Sequence, residues 1–284
     1  MVKCGTFMKR KLNLSKSPDY LTPLLEKAPA GWALIRANEI RALEEVEFEE
    51  PVLDIGCGDG LVAKVILSKR KTKFDFGLDI SEREIKKAKK SGIYKKCIVG
   101  DVYNLPFEDN KFQTVFSNST VEHFKDLDLA LSEIQRVLRP GGQLIITVPS
   151  AFLSSYLLGS RFFAFFGLRS VAKLYAKFFH SLVRHYNLHN HKQWERILKK
   201  HKLILTSYFY YHSPGMIQVH EIFSYIAIPQ HIIKFLLGTW PVFVSFRKIF
   251  VIPFARIFYR NYLNDISKKQ GGSLLLVSKK NEFD

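Results

Sequence analysis

The sequence predicts an α/β fold built on a parallel sheet, and three observations support this class. Between residues 51 and 150, short apolar runs typical of buried strands alternate with segments of helical periodicity. The first apolar run, Val52–Ile55, ends in a glycine-rich loop. A capping box, formed by Ser81 with Glu84 three residues later, fixes the start of a helix after the second run. In such folds the ligand site lies beyond the carboxyl ends of the strands.

Local signals predict the individual elements in chain order. The helices are expected where apolar residues recur at helical spacing, and the last of them is closed by the Arg139–Gly142 turn. The strands are expected at the short apolar runs between them. The predicted helices are Ala28–Val46, Leu61–Lys69, Ser81–Lys90 and Leu127–Leu138. The predicted strands are Val52–Ile55, Phe74–Asp79, Cys97–Gly100, Phe112–Ser117 and Gln143–Val148.

Length and composition exclude several classes of protein. The chain has 284 residues, of which 47% are hydrophobic and 24% charged, so it can bury a sizeable core and is not disordered as a whole. Cys4, Cys57 and Cys97 are odd in number and form no C-x-x-C motif, which excludes a disulfide framework or a zinc ribbon. The long apolar stretch Gln143–Ser160 is interrupted by Pro149 and a strand pattern. We therefore expect no ordinary membrane span, no secretory signal and a cytoplasmic location.

The positive charge is concentrated in the second half of the chain. The formal net charge is +17, of which residues 1–150 carry about +3 and residues 151–284 about +14. A polyanionic partner is therefore expected to meet the second half.

The loop after the first strand, residues 54–60, reads Asp-Ile-Gly-Cys-Gly-Asp-Gly. Alternate glycines permit a tight turn and let a ligand lie against the backbone, but their spacing is not the dinucleotide fingerprint, which disfavours a dehydrogenase. Asp54 and Asp59 would repel a pyrophosphate and would tolerate a cationic ligand. Asp79 ends the second strand, where a carboxylate can accept hydrogen bonds from both ribose hydroxyls. Asp101 follows the third strand. These residues predict an adenosine-bearing ligand with positive charge.

Further motifs follow this loop in a recognisable order: Leu105-Pro106-Phe107, Ser117-Asn118, Glu122-His123 and Leu138–Gly142. Together with the glycine loop they resemble the class I S-adenosylmethionine-dependent methyltransferases, most closely the type 11-like subgroup that methylates small molecules and lipids. The resemblance covers roughly residues 51–150. It implies S-adenosylmethionine as cofactor and a Rossmann-like, doubly wound, seven-stranded sheet whose last strand is antiparallel. Leu203–Tyr211 and Ser273–Val277 are then the candidates for the last two strands.

The resemblance also implies the residues of the cofactor site. Asp54 would anchor the loop, whose glycines would line the methionine and ribose part of the cofactor. Asp79 would hold the ribose, whereas Asp101 and Val102 would meet the adenine. Ser117 would face the methionine end. The complete set is Asp54, Gly56, Cys57, Gly58, Gly60, Asp79, Ile80, Asp101, Val102 and Ser117.

Histidines are the candidates for catalysis. Methyl transfer from a sulfonium needs mainly an in-line approach in a site without water, and a base only where the nucleophile must lose a proton. His123, with Glu122 beside it, and His191 are the catalytic candidates, although local packing at a helix start is the alternative for His123. His185, His189 and His191 lie close in sequence without a carboxylate or cysteine beside them. We therefore expect no metal site and keep contact with the methyl acceptor as the alternative.

A basic, aromatic stretch, Ala151–His185, follows the core and contains no Asp or Glu. On a helix its cations share one sector and its apolar residues the opposite one. That profile is typical of a helix lying in a membrane interface; the alternative is a lid that packs its apolar face on the core. The cationic sector holds Arg169, Lys173, Lys177, His180 and Arg184. The apolar sector holds Val171, Leu174, Tyr175, Phe178, Phe179 and Leu182.

A second insertion, residues 212–272, contains two apolar segments too short to span a bilayer, Ile222–Ile233 and Phe235–Phe246. Cations then alternate with phenylalanines, at Arg247, Lys248, Arg256 and Arg260. We therefore expect methyl transfer to a small-molecule or lipid-like acceptor at a membrane surface. An anionic inner membrane face would be contacted through residues 151–185 and 222–263. An RNA or other nucleic-acid methyltransferase is the alternative, because it would also be cationic; an inactive cofactor-binding module is a further one.

The predicted organisation has five parts. Residues 1–50 form a helical cap, 51–150 the cofactor-binding core and 151–190 the basic aromatic insertion. Residues 191–211 and 273–284 complete the core, and 212–272 form the hydrophobic insertion.

Overall fold

The computed structural model describes residues 19–44, 46–68, 70, 73–226, 253, 256–257 and 269–282. It contains a seven-stranded sheet in the order β3-β2-β1-β4-β5-β7-β6. Strands β1 to β5 pair in parallel, and β7 runs antiparallel to both of its neighbours, β5 and β6. The predicted fold class is confirmed. The strands are β1 Val52–Ile55, β2 Phe74–Asp79, β3 Tyr94–Val99, β4 Phe112–Asn118, β5 Leu138–Pro149, β6 Leu203–Tyr211 and β7 Ser273–Lys280.

Helices cover both faces of the sheet, and the cap predicted at Ser81 begins one of them, α4 (Glu82–Ser91). The Oγ of Ser81 accepts a hydrogen bond from the amide of Glu84, and the Oδ1 of Asp126 accepts one from Leu129. The helices are α1 Leu21–Leu25, α2 Ala30–Ala42, α3 Leu61–Leu67, α4 Glu82–Ser91, α5 Leu127–Val137, α6 Leu153–Tyr156, α7 Leu158–Phe165, α8 Arg169–Leu182, α9 His191–Lys200 and α10 Pro214–Ile226.

Three predicted elements begin two or more residues away from their start in the structure. Strand β3 begins at Tyr94 rather than Cys97, because Tyr94 already pairs with Phe74 of β2. Strand β5 begins at Leu138 and runs through the expected Pro-Gly-Gly turn, because Leu138 pairs with Phe112 across a bulge. Helix α2 begins only at Ala30, after Pro29 in an extended conformation.

The hydrophobic core lies on both faces of the sheet. Helices α1 to α4 bury one face, and helices α5 and α9 bury the other. A smaller cluster joins α6, α8 and α10, with Leu157, Phe179 and Ile217 among its members. Helix α10 packs against α2, where His220 Nδ1 lies 3.1 Å from the carbonyl oxygen of Gly31. Helices α6, α8 and α10 thus pack together beside α2.

Most of the second insertion cannot be compared with the prediction. Of the segment Ile222–Ile233, residues 222–226 belong to α10, and Phe235–Phe246, Arg247, Lys248 and Arg260 lie outside the described residues. The guanidinium of Arg256 lies 3.1 Å from the carboxylate of Asp19. In the part of the chain that the structure describes, no helix has both the length and the apolar character needed to cross a bilayer. The division into five parts stays a prediction.

Candidate active site

The glycine loop after β1 forms one wall of a crevice at the carboxyl ends of the strands. Gly56 has φ +73°, and a Cβ at this position would lie 2.3 Å from the side chain of Thr120, so only glycine fits. The amides of Gly56 and Cys57 donate to the carbonyl of Leu78, which fixes the loop to β2. Gly58 has φ +54°, and a Cβ there would meet nothing within 4 Å. The loop is therefore held firmly at Gly56 and opens into free space at Gly58.

The crevice has a volume of about 320 Å³, which falls within the range of small-molecule sites. Four segments far apart in sequence build it: the glycine loop with the start of α3, the end of β4 with the residues that follow it, the start of α4, and helix α2. Helix α2 contributes Trp32 and Arg36. Helix α2 therefore forms one side of the crevice. The last residue of β4, Asn118, lines it together with Ser119 and Thr120.

Two of the three predicted carboxylates come together at the glycine loop. Asp54 lines the crevice while being only 3% exposed, and its Oδ2 accepts a hydrogen bond of 2.6 Å from Tyr94. Burial raises the pKa of Asp54 to about 7, the Tyr94 hydrogen bond opposes this, and the nearby Asp79 adds to it. Asp79 accepts hydrogen bonds from the amides of Gly58 (2.9 Å) and Ser81 (2.8 Å). The turn thus fixes the orientation of its carboxylate.

The other predicted cofactor residues lie at the rim or behind the crevice. Asp101 is exposed beyond β3 and accepts a hydrogen bond from the amide of Tyr103, while Ile80 is 74% exposed. Val102 is buried. Ser117 is fully buried and its hydroxyl donates to the carbonyl of Ile55, so it does not line the described crevice. Gly60 does not line the crevice either. The roles of all ten predicted cofactor residues stay predictions.

A second cavity of about 160 Å³, which we call the inner chamber, adjoins the crevice. Trp32, Arg36 and Ser119 line both cavities. The chamber is enclosed by residues that sequence reasoning did not bring together, because they come from α2, the turn after β4, the segment after α8, and α10. Its polar lining residues include Glu39, Glu122, His185, His212, His220 and Glu221.

Glu39 is an ionised anchor between the crevice and the chamber. Its buried carboxylate accepts hydrogen bonds from Arg36 (2.5 Å), Ser119 (2.7 Å) and Tyr211 (2.9 Å). Asn118 donates a further one of 3.0 Å. Burial alone would favour the neutral carboxyl, but the charge and hydrogen bonds of Arg36 hold the pKa of Glu39 at about 2.

Glu122 differs from Glu39 because one of its carboxyl oxygens lacks a hydrogen-bond partner among the described residues. It lies in a short 3-10 turn, Val121–His123, and is 3% exposed. Its Oε2 has no hydrogen-bond partner among the described residues. Burial raises the pKa of Glu122 to about 8. The turn is held in place by Asn187, whose side chain donates to the carbonyls of Val121 and Phe124. A buried, rigid carboxyl with a free oxygen thus borders the chamber.

The two predicted catalytic histidines lie outside both cavities. His123 is exposed, and its Nδ1 is 3.0 Å from the carbonyl oxygen of Arg184. His191 stacks on Tyr208 with ring centroids 4.2 Å apart and bonds the hydroxyl of Tyr210. Neither lines the crevice or the chamber. The geometry gives no support to a direct catalytic role for either, because both rings are engaged in local packing.

His185 does line the chamber, and burial lowers its pKa to about 3. Its ring lies 5.7 Å from that of His123 and 5.6 Å from that of His180, measured between centroids. Within the described ranges no group of three or more His, Cys, Asp or Glu residues is arranged to hold a metal ion.

Comparison with known proteins shows that the central part of the chain is similar to methyltransferases. A family model described as a methyltransferase domain matches residues 53–146. The "Putative methyltransferase YrhH" of Bacillus subtilis (strain 168) is 32% identical over 124 residues, which are 41% of this chain and 68% of that protein. The sterol 4-C-methyltransferase strm-1 of Caenorhabditis elegans is 35% identical over 116 residues, which are 36% of this chain and 33% of that protein. The chain spans about a third of the length of the first curated relatives it matches.

A solved structure extends the likeness in fold to most of the chain. It is an S-adenosylmethionine-dependent methyltransferase from Thermotoga maritima, described as a "possible histamine N-methyltransferase". The TM-score is 0.52 at 17% identity, over 87% of this chain and 89% of that one. At this identity the likeness concerns the fold alone.

Proposed function

We propose, because the chain belongs to the S-adenosylmethionine-dependent methyltransferases, that it transfers a methyl group to a small-molecule or lipid-like acceptor at a membrane surface. The observation that carries this proposal is the contact between two cavities. Trp32, Arg36 and Ser119 line both the glycine-walled crevice and the inner chamber. A donor in the crevice and an acceptor in the chamber would therefore lie side by side, as group transfer requires.

The residues of the crevice suit S-adenosylmethionine, the cofactor of this family. The open space at Gly58 lets a ligand approach the backbone, and the carboxylate of Asp79, which accepts a hydrogen bond from the Gly58 amide, attracts a positively charged sulfonium. Ile80, exposed at the end of β2, offers an apolar surface to an aromatic ring. When bound, the cofactor supplies an electrophilic methyl group on a sulfur that is already a good leaving group.

The chain itself contributes positioning, exclusion of water and one proton acceptor. Helix α2 closes the crevice with Trp32, and the ionised Glu39 fixes Arg36 and Ser119 at the junction of the two cavities. Glu122 faces the chamber with a free oxygen and a pKa raised to about 8, near the ideal for a general base at neutral pH. We assign it, rather than His123 or His191, to the acceptance of a proton from the methyl acceptor.

The location that goes with this function is cytoplasmic and peripheral, and helix α8 supports the attachment to a membrane surface. Its buried positions are Ala172, Ala176, Phe179 and His180. Most of the predicted apolar sector is exposed within the described residues, with Leu174 at 67%. This distribution disfavours the lid alternative, which requires that sector to pack on the core. The other exposed apolar residues of the α7–α8 region are Leu158, Phe162, Phe165, Phe166, Leu168, Val171, Phe178 and Leu182.

Methyl transfer is tested with radiolabelled S-adenosylmethionine and fractionated cell extract. We expect label in the organic or small-molecule phase with the wild-type protein. Label in RNA would establish the nucleic-acid alternative. No label above background, from a protein that binds the cofactor, would favour an inactive cofactor-binding module.

Membrane attachment is tested separately by sedimentation with vesicles of phosphatidylglycerol and phosphatidylcholine. Phe165 is 85% exposed at the end of α7, so F165S removes an apolar contact with little effect on the fold. We expect F165S to sediment less than the wild type. L129S, which changes an exposed residue of α5 on the core, is the control. Equal sedimentation of F165S and the wild type would contradict attachment through this region.

A further inference from the structure

A third cavity, which we call the outer groove, lies between helices α6, α7 and α8 and has a volume of about 890 Å³. Four cations line it: Arg161, Arg169, Lys173 and Lys177. No Asp or Glu is among its described lining residues, and none of the four cations forms a salt bridge within the described part of the chain. The groove is thus a concave surface with uncompensated positive charge.

The floor of the groove is apolar and shallow because it is made of small side chains. Ala164, Ala172 and Ala176 line it, and the last two are buried against neighbouring helices. The aliphatic stems of Lys173 and Lys177 extend from the same helix, α8. Such a surface accommodates a hydrocarbon portion of a ligand as well as an anionic group.

The groove also contains buried polar atoms without partners. His180 Nε2 is 2.9 Å from the hydroxyl of Ser154, but no described residue bonds its Nδ1. His185 Nδ1 likewise lacks a partner among the residues described. A buried polar atom left unpaired is costly, so each nitrogen would gain from a hydrogen-bond partner.

His185 lines the inner chamber as well as the groove. The chamber thus adjoins both the crevice and the groove. A ligand in the groove would lie next to the chamber, where Glu122 lies, with His185 in the wall between them.

We propose that the outer groove binds the anionic group, a phosphate or carboxylate, of an acyl-bearing amphiphile that is itself the methyl acceptor. The arginines and lysines contact the anion at the groove, and the reactive end extends past His185 into the chamber. This inference rests on the proposed function and narrows its substrate class from small or lipid-like molecules to anionic amphiphiles.

The test is calorimetric titration with dihexanoyl phosphatidylglycerol as monomers, below its micelle concentration, so that one molecule rather than a bilayer is bound. We expect saturable binding of one molecule per chain, weakened by added salt. Dihexanoyl phosphatidylcholine, which carries no net charge, and inorganic phosphate, which carries no acyl chain, are expected to bind at least tenfold more weakly. Equal affinity for either of them would overturn the proposal.

Variants distinguish the groove from general attraction by positive charge. K173A/K177A removes two groove cations, and we expect roughly tenfold or greater weakening, or at least about 1.4 kcal/mol. K192A/K199A removes two exposed cations of α9 that line no described cavity, and should bind as the wild type does. A164W fills the groove at an exposed position without changing charge, and should weaken binding while leaving attraction to anionic vesicles intact.

Wild-type affinity in both K173A/K177A and A164W would refute the groove. The proposed function is judged independently, by the binding of S-adenosylhomocysteine and by label transfer to extract. If those succeed while the groove variants bind phosphatidylglycerol normally, only the substrate class is wrong.

Discussion

Replacement of Glu122 by glutamine should change how the stability of the protein depends on pH. Glu122 is 3% exposed, and burial raises its pKa from 4.5 to about 8. Between these pH values the folded protein retains a proton that the unfolded chain has lost. The wild type therefore loses stability as pH rises through this window. Glutamine resembles the neutral carboxyl in shape and does not titrate, so E122Q lacks this loss.

The magnitude follows from the size of the pKa shift. Each pKa unit corresponds to about 1.4 kcal/mol. The free energy of unfolding of E122Q, relative to that of the wild type, should accordingly increase by roughly 3 kcal/mol between pH 5 and pH 8. Asp54, whose pKa is also raised, contributes equally to both proteins and cancels in this difference.

Urea denaturation of both proteins at pH 5, 6, 7 and 8 measures the difference. The control is E82Q on α4, where Lys86 lowers the pKa of an exposed carboxylate, so its effect should be small and of opposite sign. A difference between E122Q and the wild type that stays constant over this range would refute the assignment of a buried, protonated carboxyl at position 122.

The remaining predictions concern catalysis and cofactor binding. E122Q should lower the rate of methyl transfer by about 10²- to 10⁴-fold and abolish the increase of that rate toward pH 8. Its calorimetric affinity for S-adenosylhomocysteine should be unchanged. A variant as active as the wild type would exclude Glu122 as the base. G56A should abolish the affinity for S-adenosylhomocysteine because its Cβ would lie 2.3 Å from Thr120. G92A is also at positive φ but in open space at the end of α4, and should retain that affinity. Equal affinities of the two variants would contradict cofactor binding in the crevice. H191F should leave the transfer rate within about twofold of wild type, and a loss as large as that of E122Q would restore His191 as a catalytic candidate.

The core of the fold could be predicted from the sequence because its signals are local. An apolar run followed by glycines marks β1, and Ser81 with Glu84 marks the start of α4. The positions of β6 and β7 and the antiparallel direction of the last strand are expected from the family resemblance, and the pairing of β7 confirms that direction. The start of β3 was missed because Tyr94-Lys95-Lys96 has too little apolar character; pairing with β2 decides it.

The inner chamber could not be predicted because its residues lie far apart in the sequence. Glu39 on α2 meets Ser119 and Tyr211 only after the sheet has formed. Glu122 was noted merely as the neighbour of His123, since nothing in the sequence reveals that one side chain is buried and the other exposed.

The orientation of α8 also could not be predicted from the periodicity of its sequence. Its apolar sector predicted either a membrane contact or packing on the core, yet the residues buried in the structure include Ala172 and Ala176. Close packing of α7 on α8 explains this, since Gly159 touches Tyr175 so closely that a Cβ would lie 2.4 Å from the ring. Small residues are needed where two helices approach in this way.

Photochemical cross-linking of tritiated S-adenosylmethionine, followed by peptide mapping, tests the position of the methyl donor most directly. We predict label in peptides containing residues 54–63 or 116–120, which line the crevice beside the chamber. Excess S-adenosylhomocysteine should suppress this labelling. Suppressible label confined to peptides outside the crevice would contradict the account.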